Sequence, residues 1–135
     1  MPWLAYLHPL AMFAVLGLGL FVLREGIRIR RGRILRRGYD ARRHRRLARV
    51  FVPIAIAGFA SGLASMALLR GKPVFGSVHA LLASAALAGF VVGGGLGLVL
   101  ERNPRSNLRG IHAITASAGL LLGLAAAFAA FAILP

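Results

Sequence analysis

Long apolar runs dominate the chain, and they predict its structure before any single motif does. Four runs reach the length needed to cross a membrane, and they cover residues 3–23, 50–69, 74–100 and 108–134. A helix needs about 20 apolar residues to cross the hydrocarbon core of a bilayer, and the third and fourth runs are long enough to be tilted. None alternates between apolar and polar positions, as the strands of a membrane barrel do. The pattern predicts an all-α fold: an integral membrane four-helix up-down bundle forming one transmembrane domain over residues 1–135.

The polar connections carry the charge and set the expected orientation. The first connection, residues 24–49, holds 12 of the 17 Lys and Arg residues and has Gly32 and Gly38 as its expected turn positions. The segment Arg70-Gly71-Lys72-Pro73 is the expected tight turn between spans two and three, and residues 101–107 join spans three and four. The first and third connections with their flanks hold fifteen cations, against two in the second. The positive-inside rule therefore predicts a cytoplasmic Arg-rich loop and both termini outside.

Composition excludes several classes of function. The chain has 135 residues, of which 59% are hydrophobic, and a formal net charge of +14. A nucleic-acid-binding protein would carry such charge on the face of a soluble fold, whereas here it is confined to loops between apolar spans, so no nucleic-acid partner is expected. Cysteine is absent, which excludes disulfides, iron–sulfur clusters and thiolate zinc sites. The three acids lie outside the apolar runs, which excludes carboxylate-bridged metal centres and intramembrane carboxylate relays.

Small residues crowd spans two, three and four, and they allow two interpretations. Residues without large side chains let helices approach closely in lipid, where apolar surface alone does not drive association. Alternatively, some of them make room between helices for a flat, bulky cofactor. The set is Gly58, Ser61, Gly62, Ser65, Gly89, Gly93, Gly94, Gly95, Gly97, Ser117, Gly119 and Gly123.

Four histidines, His8, His44, His79 and His112, lie one near the start of each span. Because successive spans run in opposite directions, the first and third histidines fall near the outer surface and the other two near the inner surface. Spans one and three, and likewise two and four, are diagonal neighbours in an up-down bundle. Each layer therefore presents two facing imidazoles. The separations of 71 residues between His8 and His79 and 68 between His44 and His112 indicate two similar helical hairpins.

Two facing imidazoles suit axial ligation of an iron porphyrin. The neutral ring nitrogen is the ligand, and a hydrogen-bond partner on the other nitrogen fixes which one that is. Two such ligands leave no open coordination position, so the site transfers electrons. Taken singly, each histidine also fits an ordinary place among lipid headgroups, and His44 fits a solvated basic run. Met12 and Met66 are more typical of core packing than of soft metal ligands.

The residues around the histidines resemble the cytochrome b-561 family, in its compact four-span bacterial form. The resemblance extends over nearly the whole chain and is carried by Leu7-His8-Pro9-Leu10, Arg43-His44-Arg45-Arg46-Leu47-Ala48-Arg49, Val78-His79-Ala80-Leu81-Leu82 and Arg109-Gly110-Ile111-His112. It implies two b-type hemes, one held by His8 with His79 and the other by His44 with His112. It also implies a bacterial inner-membrane protein that passes electrons across the membrane from quinol or ascorbate. The chain lacks the additional flanking helices of six-span relatives and any ascorbate-binding motif.

The arginines beside the inner histidines have a second expected role, in pairing with heme propionates. Arg109, three residues before His112, is the best candidate, and Arg43, Arg45, Arg46 and Arg105 also flank that layer. The expected partners are membrane lipid, a redox donor and an acceptor (a quinol or a redox protein), and a homo-oligomer or larger complex in which the chain is a membrane subunit. Two other functions remain open: a small four-span transporter or channel, and a heme-free anchor subunit. The transporter needs a polar group at mid-bilayer, for which the spans offer only serine and threonine.

Overall fold

The computed structural model describes residues 4–69, 71, 73–104 and 107–130, and it is a four-helix bundle as the apolar pattern predicts. The helices are α1 (Leu4–Ile34), α2 (Arg42–Ala64), α3 (Val78–Arg102) and α4 (Arg109–Ala130), and a π-helical turn, Ser65–Leu69, extends α2. All four are long and apolar enough to cross a membrane, and no strand occurs in the described ranges. The expected span ends at Trp3 and Leu134 lie outside those ranges.

The Arg-rich connection is shorter than the charge pattern predicts, because α1 continues to Ile34 and α2 already begins at Arg42. Hydropathy marks where the hydrocarbon ends, whereas arginine is a good helix former and lets the hydrogen-bonded helix continue into the polar region. Gly32, expected in a turn, is helical, and its carbonyl accepts the N–H of Arg37 at 2.8 Å. Arg36 takes the left-handed conformation, with φ of 50°, that ends α1. Gly38 does lie in the connection.

The connection between α2 and α3 is longer than the expected four-residue turn. Helix α3 begins at Val78 rather than Val74, because Ser77 caps it by accepting the N–H of Ala80 at 3.2 Å. Gly71 in this connection has a positive φ of 57°. The side chains of Arg70 and Lys72 lie outside the described residues.

Packing follows the up-down order. Each helix contacts its two neighbours around the bundle, while the backbones of the diagonal pairs, α1 with α3 and α2 with α4, stay more than 8 Å apart in the described residues. The closest approach joins α3 to α4: a Cβ on Gly89 would lie 2.8 Å from the Cα of Gly119. The packing interpretation of the small residues therefore holds for these two glycines.

An apolar core at mid-length, which in a membrane would lie at mid-bilayer, separates the two ends of the bundle. Phe51 of α2 and Phe90 of α3 meet edge to face across it, with ring centroids 4.8 Å apart. Around them pack Val15, Leu16, Ala55, Ala86 and Leu120. Side chains on either side of this core are therefore separated from one another.

Candidate functional site

The four histidines form two pairs, one on each side of the mid-bilayer core. His8 of α1 and His79 of α3 have ring centroids 6.5 Å apart and ring planes at 85°. His44 of α2 and His112 of α4 have centroids 6.2 Å apart and planes at 90°. These are the two pairings predicted from the alternating direction of the spans. Each pair joins diagonal helices whose backbones do not touch, so the imidazoles reach into the space along the bundle axis.

Each imidazole is fixed through its Nδ1 atom by the neighbouring helix of the same hairpin. The partners are the carbonyl oxygens of Val22 for His44 (3.0 Å), of Ala126 for His79 (2.8 Å) and of Gly93 for His112 (2.8 Å). Because a carbonyl only accepts, Nδ1 of these three rings carries the hydrogen, and Nε2 of the neutral ring keeps its lone pair. That is the tautomer a metal ligand requires.

His8 reaches the same arrangement through a hydroxyl. Its Nδ1 lies 3.2 Å from Oγ of Ser61, and that hydroxyl donates its own hydrogen to the carbonyl of Gly58 at 2.7 Å. The serine oxygen is therefore the acceptor, and His8 also carries its hydrogen on Nδ1. All four rings share one tautomer with Nε2 available.

Each helix carries, 14 residues after its own histidine, a carbonyl that orients a histidine of the other pair. Helix α1 carries His8 and Val22, α3 carries His79 and Gly93, and α4 carries His112 and Ala126; in α2 the pair is His44 and Gly58, reached through Ser61. Fourteen residues of helix span about 21 Å. Every helix therefore carries an imidazole at one end of the bundle. At the other end it provides a carbonyl that orients the imidazole of its hairpin partner.

A glycine four residues beyond three of these acceptors makes room for the imidazole. A Cβ on Gly62 would lie 2.8 Å from Cε1 of His8, and a Cβ on Gly26 or Gly97 would lie 3.4 Å from Cε1 of His44 or His112. The fourth equivalent position is Ala130. Gly62 and Gly97 therefore leave space for an imidazole, whereas Gly95 meets nothing within 4 Å. That some small residues leave space for a flat cofactor stays a prediction.

The separation within each pair matches a metal held between the rings. Two imidazoles that bind one metal from opposite sides through Nε2, at about 2.0–2.1 Å, have centroids roughly 6.3 Å apart, since each centroid lies about 1.1 Å from the ring nitrogen. A direct hydrogen bond between the rings would bring the centroids to roughly 5 Å. The observed 6.5 and 6.2 Å fit the first arrangement, and they also lie within the 4.5–7 Å range of ordinary edge-to-face ring contacts.

Each pair offers two imidazoles as candidate metal ligands. Within the part of the chain that the structure describes, no group of three or more His, Asp or Glu side chains is placed to hold a metal ion. A metal bound between two imidazoles would therefore take its other ligands from water or from a cofactor. A porphyrin, with four nitrogens in a plane, completes six-coordination with two axial imidazoles.

The pair of His8 and His79, predicted to lie near the outer surface and called the outer pair, opens onto an apolar cleft between the helices. Its walls include Met12 and Phe13 of α1, Phe59 of α2 and Ala83 of α3. Apart from His8 and His79, no ionisable residue lines it among the described residues. The cleft therefore suits a large apolar ligand that meets the protein through the two imidazoles.

The pair of His44 and His112, predicted to lie near the inner surface and called the inner pair, has a charged surrounding, which the outer pair lacks among the described residues. Glu25 of α1 is buried, at 4% exposure, in the turn of α1 that follows the acceptor Val22. Its carboxylate contacts the guanidinium of Arg28 at 3.1 Å and lies 3.9 Å from that of Arg43. Arg43, predicted to face a propionate, thus lies against a carboxylate of the protein and ties the start of α2 to α1.

A second ionic cluster joins α2 to the end of α3. Glu101 accepts two hydrogen bonds from one guanidinium nitrogen of Arg49, at 2.7 and 2.8 Å, and lies 3.5 Å from Arg45. Arg109, at the start of α4, is exposed and makes no ion pair with any described residue. Of the arginines expected to face propionates, Arg46 is likewise exposed and without an ion pair to a described residue, and Arg105 lies outside the described ranges.

Sequence reasoning missed the acceptors, the glycines that face the imidazoles and the burial of Glu25. One signal was present: glycine recurs 18 residues after His8, His44 and His79, and alanine after His112. Three of the four acceptors are backbone carbonyls, which every residue type has and which a sequence pattern therefore cannot identify.

Comparison with known proteins adds no family: no protein-family model, curated protein or solved structure matches the chain.

Proposed function

We propose that this chain transfers electrons across a membrane through two bis-histidine b-type hemes, one held by His8 and His79 and the other by His44 and His112. The observation that carries the proposal is the repeated geometry of the imidazoles. In both pairs Nδ1 is hydrogen-bonded to the neighbouring helix and the centroid separation leaves room for one metal between the rings. The resemblance of these four segments to the cytochrome b-561 family supports the same reading.

The residues of the chain perform three tasks at each site. The two imidazoles would hold the heme iron, which would leave no coordination position for oxygen or substrate. The acceptor carbonyls hold the ring orientation and raise the basicity of Nε2. Glycines such as Gly62 leave the space next to the ring. Heme bound there supplies reversible one-electron chemistry.

The two layers are placed to connect the membrane faces. They are separated along each helix by 14 residues, or about 21 Å, within a hydrocarbon core about 30 Å thick. Each layer therefore lies within a few ångströms of one surface, where a quinol or a redox protein has access. The Arg-rich side is proposed to be cytoplasmic by the positive-inside rule.

A transporter has less support from the structure. The mid-bilayer hydroxyls that it would use are engaged within their own helices: Ser84 donates to the carbonyl of Ala80 at 2.8 Å, and Thr115 to that of Ile111 at 2.8 Å. The hydrogens of these two hydroxyls are therefore already used within the helices and are not free to bind a passing anion.

Heme content tests the proposal directly. Protein purified from heme-replete cells should contain two hemes per chain, by pyridine hemochromogen assay against amino-acid analysis, with the reduced-minus-oxidised bands of a b-type cytochrome. His8→Ala and His79→Ala should each leave one heme, and the double variant should lose no more than either alone. His8→Ala combined with His112→Ala should leave none. A folded, colourless wild-type protein would refute the proposal and favour the anchor subunit.

A further inference from the structure

The outward face of α1 carries an ordered set of apolar and basic side chains where the hydrocarbon ends. Leu20, Arg24, Ile27 and Arg31 follow one another at intervals of four, three and four residues, so they form one line along the helix. Leu20 and Ile27 are 47% and 43% exposed. The opposite face of α1, with the buried Val15, packs into the bundle.

A shallow, open groove runs along this line. It is lined only by α1, through Leu20, Leu23, Arg24, Ile27, Arg28 and Arg31. The end of the groove nearer the middle of α1 is therefore apolar, and the end nearer the Arg-rich connection carries three guanidinium groups.

The groove crosses the boundary between hydrocarbon and headgroups. Arg24 is the first charged residue after the apolar run, and Arg31 lies about 10 Å further along the helix. The headgroup layer on each side of a bilayer is roughly 5–8 Å thick, so Arg24 and Arg28 lie within it and the long side chain of Arg31 can reach down to it. A soluble partner has no access to Leu20 or Leu23, whereas a lipid molecule contacts both parts at once.

The charges in the groove are suited to a phosphate. Arg28 is held by the buried Glu25 at 3.1 Å, whereas Arg24 and Arg31 make no ion pair with any described residue. Guanidinium groups bind phosphate oxygens in bidentate fashion and are preferred for that role. Two uncommitted guanidinium groups above an apolar strip complement an anionic headgroup above an acyl chain.

We propose that this groove is a binding site for an anionic phospholipid of the Arg-rich leaflet, with the phosphate on Arg24 and Arg31 and an acyl chain along Leu20 and Leu23. The site requires no heme and is independent of the proposed electron transfer. It would hold one lipid at a fixed position on α1, beside the helix turn that buries Glu25.

Native mass spectrometry of the full chain in neutral detergent tests the site, with phosphatidylglycerol and phosphatidylcholine of identical acyl chains as probes. The wild type should retain one phosphatidylglycerol and release phosphatidylcholine. Arg24→Gln with Arg31→Gln should weaken phosphatidylglycerol binding about tenfold or more, because each basic residue near the surface contributes about 1 kcal/mol. Arg24→Lys with Arg31→Lys, which keeps the charge but loses the fork geometry, should weaken it less.

The matched control is Arg36→Gln with Arg37→Gln, which removes the same charge from the connection beyond α1 and should leave binding unchanged. An equal loss in this control would show general electrostatic attraction and overturn the site. Equal retention of the two lipids, or displacement of phosphatidylglycerol by an equal concentration of glycerol phosphate, would also overturn it.

Discussion

His44 and His112 come from diagonal helices, yet their rings lie with centroids 6.2 Å apart and their planes at 90°. The carbonyls of Val22 and Gly93 set this angle, because each fixes one ring from the adjacent helix of its own hairpin. The outer pair, at 85°, is oriented in the same way. The internal similarity of the two hairpins therefore extends from the position of the ligands to the orientation of their rings.

From the nearly perpendicular ring planes in both pairs we predict a specific electron paramagnetic resonance spectrum. When two axial imidazoles lie perpendicular, the two iron d orbitals that interact with them stay close in energy, and the low-spin ferric signal becomes strongly anisotropic with a large maximum g value. We expect both hemes of the oxidised protein to give this signal at low temperature. The common rhombic signal of parallel imidazoles would contradict the geometry of that pair.

Gly62→Ala should remove the outer heme and leave the inner one. The added Cβ would lie 2.8 Å from Cε1 of His8, closer than two such carbons approach, so the ring must move away from its ligating position. Heme per chain should fall from two to one. Gly95→Ala is the control, since its Cβ meets nothing within 4 Å and alanine raises helix propensity at both positions. Loss of heme in that control would indicate a general effect of removing glycine.

Ser61→Ala should weaken the outer site without removing its ligands. The serine hydroxyl is the acceptor for Nδ1 of His8, and loss of such a partner typically costs 10–100-fold in metal affinity. Because the imidazole also becomes a weaker donor to ferric iron, the midpoint potential of the outer heme should rise. Ser84→Ala, which removes a hydroxyl bonded only within α3, should change neither quantity in a redox titration. Equal effects of both substitutions would argue against the orienting role.

Removing the two arginines that contact Glu25 should lower the free energy of unfolding more than removing the carboxylate itself. Arg28 and Arg43 have exposed side chains, so Glu25→Gln leaves no charge buried. Arg28→Gln with Arg43→Gln instead leaves an unpaired carboxylate in the protein interior, which typically costs about 3–5 kcal/mol. Thermal unfolding in detergent should show a large loss for the double arginine variant and a smaller one for Glu25→Gln. The reverse order would show that the carboxylate is solvated.

The apolar pattern and the charge asymmetry were enough to predict four helices and to pair His8 with His79 and His44 with His112. Helix ends were less predictable, because the run from Arg24 to Ile34 is polar in composition yet helical in hydrogen bonding. Burial of Glu25 depends on arginines from two different helices, and such tertiary pairing leaves no local pattern. The 18-residue spacing from histidine to glycine is visible in the sequence. That these glycines face imidazoles follows only once the neighbouring helices are known.

Electron transfer across a sealed bilayer tests the central claim most directly. Liposomes containing the purified protein and an encapsulated reductant should reduce an impermeant oxidant added outside, and protein-free liposomes should not. His79→Ala and His112→Ala should each retain one heme and each abolish the transfer, because both layers are needed to span the hydrocarbon core. Wild-type liposomes that hold both hemes but transfer no electrons, or undiminished transfer in either one-heme variant, would contradict the account.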